Sequence, residues 1–135
     1  MSIFIKPRHV VLNWWFRHVH LLLAVLIVVP TAIIYSSPYL LSTQLDVEII
    51  TIDQANQWKA TALWYLACSA VWIRGLIKAN SWRMATQLTA FFMLTLATGR
   101  LLSLAIDGIP SDAYLFAIVA ECFIGSYAVW QLRLP

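Results

Sequence analysis

Between Arg83 and Asp107 lie 23 residues with a single charge, Arg100, and between Asp112 and Arg133 lie 20 with a single charge, Glu121. Charge-poor stretches of this length match the ~20 residues that a helix uses to cross the hydrocarbon core of a membrane. Two more precede them. His18 to Leu45 is uncharged, with its apolar heart from Leu21 to Tyr35, and Ala60 to Ile73 forms the unbroken centre of a stretch between Gln54 and Lys78. Four spans need ~80 apolar positions. Of the 135 residues 61% are hydrophobic and 11% charged, so little chain remains for a domain outside the membrane. This excludes a cytosolic globular enzyme, a disulfide-rich secreted module and a disordered tail. The expected fold is all-α: an integral four-transmembrane-helix antiparallel bundle, one domain over residues 1–135, with helices at about 11–35, 54–78, 82–106 and 112–132.

The ends of the spans carry the orientation. Lys6, Arg8 and Arg17 precede the first, Arg74, Lys78 and Arg83 surround the second connection, and Arg133 follows the fourth. Asp46, Glu48 and Asp53 lie in the first connection, Asp107 and Asp112 in the third. The positive-inside rule then places both termini of a multi-pass membrane protein in the cytoplasm. Trp14, Trp15, Trp82 and Trp130 fall at the inner interface, and Tyr39, Trp58 and Tyr114 at the outer one. The first apolar run is too long for a signal peptide and no small-residue cleavage site follows it, so a retained helix is expected, kinked near Pro30. Thr51 followed by Gln54 reads as a capping box opening the second helix. The alternation in Leu45-Asp46-Val47-Glu48-Ile49 reads as a short strand or a surface-lying segment.

Arg100 and Glu121 are the informative residues. A charge inside a span costs at least ~2.5 kcal/mol on insertion scales and usually faces a bundle interior. At 1.5 Å per residue, Arg100 lies about 10 Å below Asp107, and Glu121 about 13–14 Å below Asp112. Neighbouring spans joined by a short loop put the two at similar depth, so an Arg100–Glu121 pair is expected. Ala117, Glu121, Gly125 and Ala128 share one face, where small side chains let a neighbouring backbone approach. Ser103 and Asp107 lie on the Arg100 side, and Lys59 joins from the second helix. The pair has three readings: a lock between helices, an outward polar pocket for a lipid headgroup or small anion, and part of a proton path. Only Thr86, Gln87 and Thr89 offer polarity in the inner half, too few for the last.

His9, His18 and His20 read as interfacial or lipid-facing side chains. His18 and His20, two apart, cannot clamp a metal from one helix face, and no other span supplies a histidine for haem. Cys68 and Cys122 sit in apolar runs without metal spacing. No nucleophile–base set, phosphate-binding loop or zinc motif is present, so no catalysis and no cofactor is expected. A net charge of +3 reflects helix ends rather than a nucleic-acid surface.

Gly99-Arg100-Leu101-Leu102-Ser103, Asp107-Gly108-Ile109-Pro110-Ser111 and then Glu121 resemble a bacterial domain-of-unknown-function family of small four-helix inner-membrane proteins. The shared signature is Arg…Asp-Gly-x-Pro-Ser…Glu over the last two helices. The resemblance implies that Arg100, Asp107, Gly108, Pro110 and Glu121 are its characteristic positions. Asn56-Gln57-Trp58-Lys59 resembles the family's polar start of helix two, where arginine is commoner than Lys59. No activity comes with the resemblance.

The function expected from the residues is non-catalytic binding of a lipid or other amphipathic ligand in an outward polar pocket, in support of envelope and lipid homeostasis. Its expected ligand-binding residues are Arg100, Glu121, Asp107, Lys59, Ser103 and Tyr114, and its expected partners are membrane lipids and either a second copy of the chain or a larger membrane complex, with no nucleic acid. The rivals are an accessory subunit of a larger membrane complex and a small dimeric transporter. Four-helix exporters of that kind carry their essential carboxylate in helix one, which has none here.

Overall fold

The computed structural model describes residues 8–37 and 51–134. Four long helices form there: α1 (Arg8–Ser36), α2 (Ile52–Ile77), α3 (Trp82–Ile106) and α4 (Asp112–Arg133), with a single 3-10 turn at Ala79–Ser81. No strand occurs among the described residues. All four helices are long and apolar enough to cross a membrane, as a multi-pass membrane protein requires. The readings for Tyr39 and for Leu45 to Ile49 lie outside the described residues. Pro30 falls inside α1, which continues past it to Ser36.

The helix ends follow local chemistry. The Thr51 hydroxyl accepts from Gln54 N–H and the Gln54 side chain accepts from Thr51 N–H, both at 3.2 Å. That reciprocal cap starts α2 at Ile52, two residues before Gln54. Gly108, at φ 106°, supplies the left-handed residue that turns the chain from α3 toward α4.

Lipid tails are as apolar as leucine, so helices in a bilayer associate through close packing and hydrogen bonds rather than through water exclusion. Each helix shows a buried stripe at three- and four-residue spacing. On α1 it runs Leu21, Ala24, Val28, Ala32, Tyr35; on α2, Ala62, Tyr65, Cys68, Ser69, Trp72. On α3 it runs Trp82, Ala85, Thr86, Thr89, Met93, Ala97; on α4, Ile118, Glu121, Ile124, Ala128, Gln131. These stripes meet in one bundle, with α1 mainly against α2 and α3 mainly against α4. Gly125 marks the closest approach of the second pair: a Cβ there would stand 2.8 Å from Leu94 Cγ and Cδ2. The hydroxyls of Thr31, Ser69, Thr86 and Thr89 donate to carbonyls four residues back, so no buried hydroxyl among them is left unpaired in the bundle.

Candidate functional site

Arg100 on α3 and Glu121 on α4 meet. The Arg100 Nε donates to Oε1 of Glu121 at 3.0 Å and to Oε2 at 3.1 Å. The Glu121 side chain keeps 8% of its exposure and that of Arg100 20%. A buried carboxylate without a countercharge is strongly unfavourable, so this contact is what makes Glu121 tolerable in an apolar helix.

Tyrosines from α1, α2 and α4 lie near the pair. Arg100 Cζ lies 5.0 Å from the centroid of the Tyr114 ring, a cation–π contact from the first turn of α4. Tyr65 of α2 lies within electrostatic reach of Arg100, Glu121 and Tyr114. Tyr35, the last buried residue of α1, lies within electrostatic reach of Arg100 and Tyr114. An aromatic row continues the wall: Trp58 to Tyr35 at 4.6 Å, Tyr35 to Tyr65 at 5.7 Å, Tyr65 to Phe92 and Phe92 to Trp72 at 5.2 Å each. All four helices therefore contribute to one polar cluster.

Of the residues expected at the site, Arg100, Glu121 and Tyr114 come together. Ser103 and Asp107 form a pair of their own at the exposed end of α3, the Ser103 hydroxyl donating to Asp107 Oδ2 at 2.8 Å. Lys59 is exposed on α2 and makes no ion pair among the described residues. Tyr35 and Tyr65 were not expected there. The signal for them was tyrosine, rather than phenylalanine, at stripe positions of two apolar helices.

A second polar layer lies at the other end of the bundle and corrects the reading of the histidines. His18 and His20 are buried, not lipid-facing; the side chain of His9 lies outside those described. His18 Nδ1 bonds Trp14 O at 2.8 Å. His20 Nε2 is 3.0 Å from Thr86 Oγ1, and the Thr86 hydroxyl gives its one proton to Trp82 O at 2.8 Å. His20 Nε2 is therefore the donor in that contact, and its Nδ1 is a bare acceptor with no partner. Around it, Trp82 Nε1 donates to Arg17 O at 3.0 Å, and Tyr127 Oη and Gln131 Nε2 donate to Phe16 O at 2.7 and 3.1 Å. Trp82, expected at the interface, is buried within the bundle. Trp15, Phe16, Val19, His20, Phe123 and Tyr127 border an apolar groove of about 280 Å³ between α1 and α4.

Among the described residues no side-chain hydrogen bond joins the two layers. Thr86 and Arg100 are fourteen residues apart on α3, about 21 Å along the axis, and the buried side chains of Phe92, Met93 and Ile124 belong to the apolar core between them. Cys68 and Cys122 are free thiols. Among the described residues no group of histidine, cysteine and carboxylate side chains is placed to hold a metal ion.

A family model described as a domain of unknown function, DUF4345, matches residues 16–132. The chain belongs to that family. No curated protein and no solved structure matches it.

Proposed function

We propose that this member of the DUF4345 family is a non-catalytic protein of a bacterial inner membrane. Both termini lie in the cytoplasm, the four helices run antiparallel, and the cluster around Arg100 faces the outer leaflet. There it binds a lipid or another amphipathic molecule in support of envelope lipid homeostasis. The observation that carries this reading is the convergence of all four helices on one ion pair, with Tyr114 against the guanidinium and Tyr35 and Tyr65 within electrostatic reach. A lock between α3 and α4 needs only Arg100 and Glu121. Three tyrosines around them add hydroxyls and flat apolar faces, which suit a ligand with one polar end. The apolar filling between the two polar layers supports binding over conduction, because a proton path needs polar groups along its length.

Lipidomics of the protein purified in mild detergent tests the reading. A lipid retained at fixed stoichiometry by the wild type, and lost from a Tyr35→Phe, Tyr65→Phe, Tyr114→Phe triple variant of unchanged stability, is the expected result. Retention of no amphiphile, with a second protein co-purifying at fixed stoichiometry, would replace it with the accessory-subunit reading.

A further inference from the structure

Glu121 occupies only one of the five N–H donors of Arg100. Both carboxylate oxygens sit on Nε, at 3.0 and 3.1 Å, and neither Nη1 nor Nη2 donates to any described residue. A guanidinium carries five donors in a planar fork, so four remain. They are not sealed in. The Arg100 side chain keeps 20% of its exposure, and among the described residues the buried side-chain polar atoms without partners are His20 Nδ1 and Trp72 Nε1. Donors that are open yet ~10 Å inside the boundary by helix rise are placed to receive an acceptor that enters from the bilayer.

We propose that the Nη1–Nη2 edge of Arg100 receives an oxyanion, the phosphate or carboxylate headgroup of an amphiphile, in a two-bond contact. This rests on the ligand reading above and names the group that the ligand presents. Arginine pairs with carboxylate and phosphate through two parallel N–H···O bonds because the spacings match, whereas lysine offers a point charge. Glu121 does not block this edge. It holds the guanidinium from the Nε side, and Tyr114 lies against its face at 5.0 Å, so the plane of the fork is fixed before the ligand arrives. Because Glu121 already balances the formal charge, recognition comes from directed donors rather than from net attraction. Asp107 and Asp112 place acid at the end of α3 and the start of α4. That rim disfavours a free dianion and favours a singly charged headgroup delivered from the bilayer, whose chain stays in lipid.

The test titrates the full chain in mild detergent with phosphatidylglycerol, oleate, diacylglycerol or inorganic phosphate, read by thermal shift and native mass spectrometry. Arg100→Lys is the comparison, since it keeps a cation beside Glu121 and lacks the fork. Phosphatidylglycerol and oleate are expected to bind the wild type, diacylglycerol to bind at least tenfold more weakly, and Arg100→Lys to lose tenfold or more for both anions. Saturation by phosphate alone, with neither lipid bound, would keep the oxyanion edge and overturn the amphiphile reading. Diacylglycerol binding as well as phosphatidylglycerol would overturn the oxyanion edge and keep the amphiphile reading. The wild-type comparison of headgroups decides the matter even if Arg100→Lys does not fold, and no binding of any of the four would overturn both.

Discussion

Arg100 and Glu121, 21 positions apart, are held together through a single nitrogen, the Arg100 Nε, which both oxygens of the carboxylate share. The contact joins α3 to α4 and neutralises two charges that neither helix could carry alone. Removing one partner is therefore worse than removing both. Glu121→Gln leaves the guanidinium without a countercharge and is expected to lower stability by roughly 3–5 kcal/mol. Arg100→Met with Glu121→Leu should recover much of that loss, because the desolvation cost leaves with the charges. Thermal unfolding of the two single variants and the double variant measures the coupling; additive losses would mean that the pair contributes no interaction energy.

A glycine pair separates packing from helix propensity. A Cβ at Gly125 would stand 2.8 Å from Leu94 Cγ and Cδ2, whereas one at Gly99 would meet nothing within 4 Å. Alanine is the better helix former by ~1 kcal/mol, so Gly99→Ala should be neutral or mildly stabilising. Gly125→Ala should cost about 1–3 kcal/mol through overpacking, and Leu94→Ala in the same chain should recover part of it. Equal melting temperatures for the two single variants would show that α3 and α4 are not in close contact at Gly125.

The ion pair was legible because its geometry is nearly one-dimensional. Two charges at similar depth on consecutive spans, joined by a short turn, have few other places to go. Tyr35 and Tyr65 were not, because their meeting with Arg100 depends on how α1 and α2 are rotated, which hydropathy does not encode. His20 was misread for a related reason. A histidine at the basic end of a span resembles an interfacial residue, yet it lies four positions before Ala24 on the buried stripe of α1. Extending that stripe by one turn would have placed it inside. Thr86 lies at the matching end of the α3 stripe, three positions before Thr89.

The His20 layer makes its own prediction. Thr86 already donates to Trp82 O, so losing the imidazole strands no donor, and the unpaired Nδ1 is a cost that a phenyl ring would remove. His20→Phe should keep stability within about 1 kcal/mol of the wild type or raise it, while His20→Ala should lose roughly 2–4 kcal/mol through the cavity that it leaves. A loss above ~2 kcal/mol for His20→Phe would instead assign the Nε2–Thr86 bond a larger stabilising role than such bonds usually have.

Orientation is the last expected outcome. Gln131, near the end of α4, bonds Phe16 O near the start of α1, and Trp82, opening α3, bonds Arg17 O. The beginning of α1, the beginning of α3 and the end of α4 thus share one end of the bundle. That end carries Arg17, Arg83 and Arg133, with Arg74 donating to Ser81 Oγ at 3.0 Å in the connection from α2 to α3. Asp53, Asp107 and Asp112 mark the other ends of the helices. Lysine and arginine near span ends are retained on the cytoplasmic side, so the basic end should face inward and the Arg100 cluster outward. A green fluorescent protein fused after residue 134 should fluoresce, and an alkaline phosphatase fused at the same point should be inactive. The reverse result would turn the bundle over, place the Arg100 cluster in the inner leaflet, and require any lipid bound there to come from the cytoplasmic side.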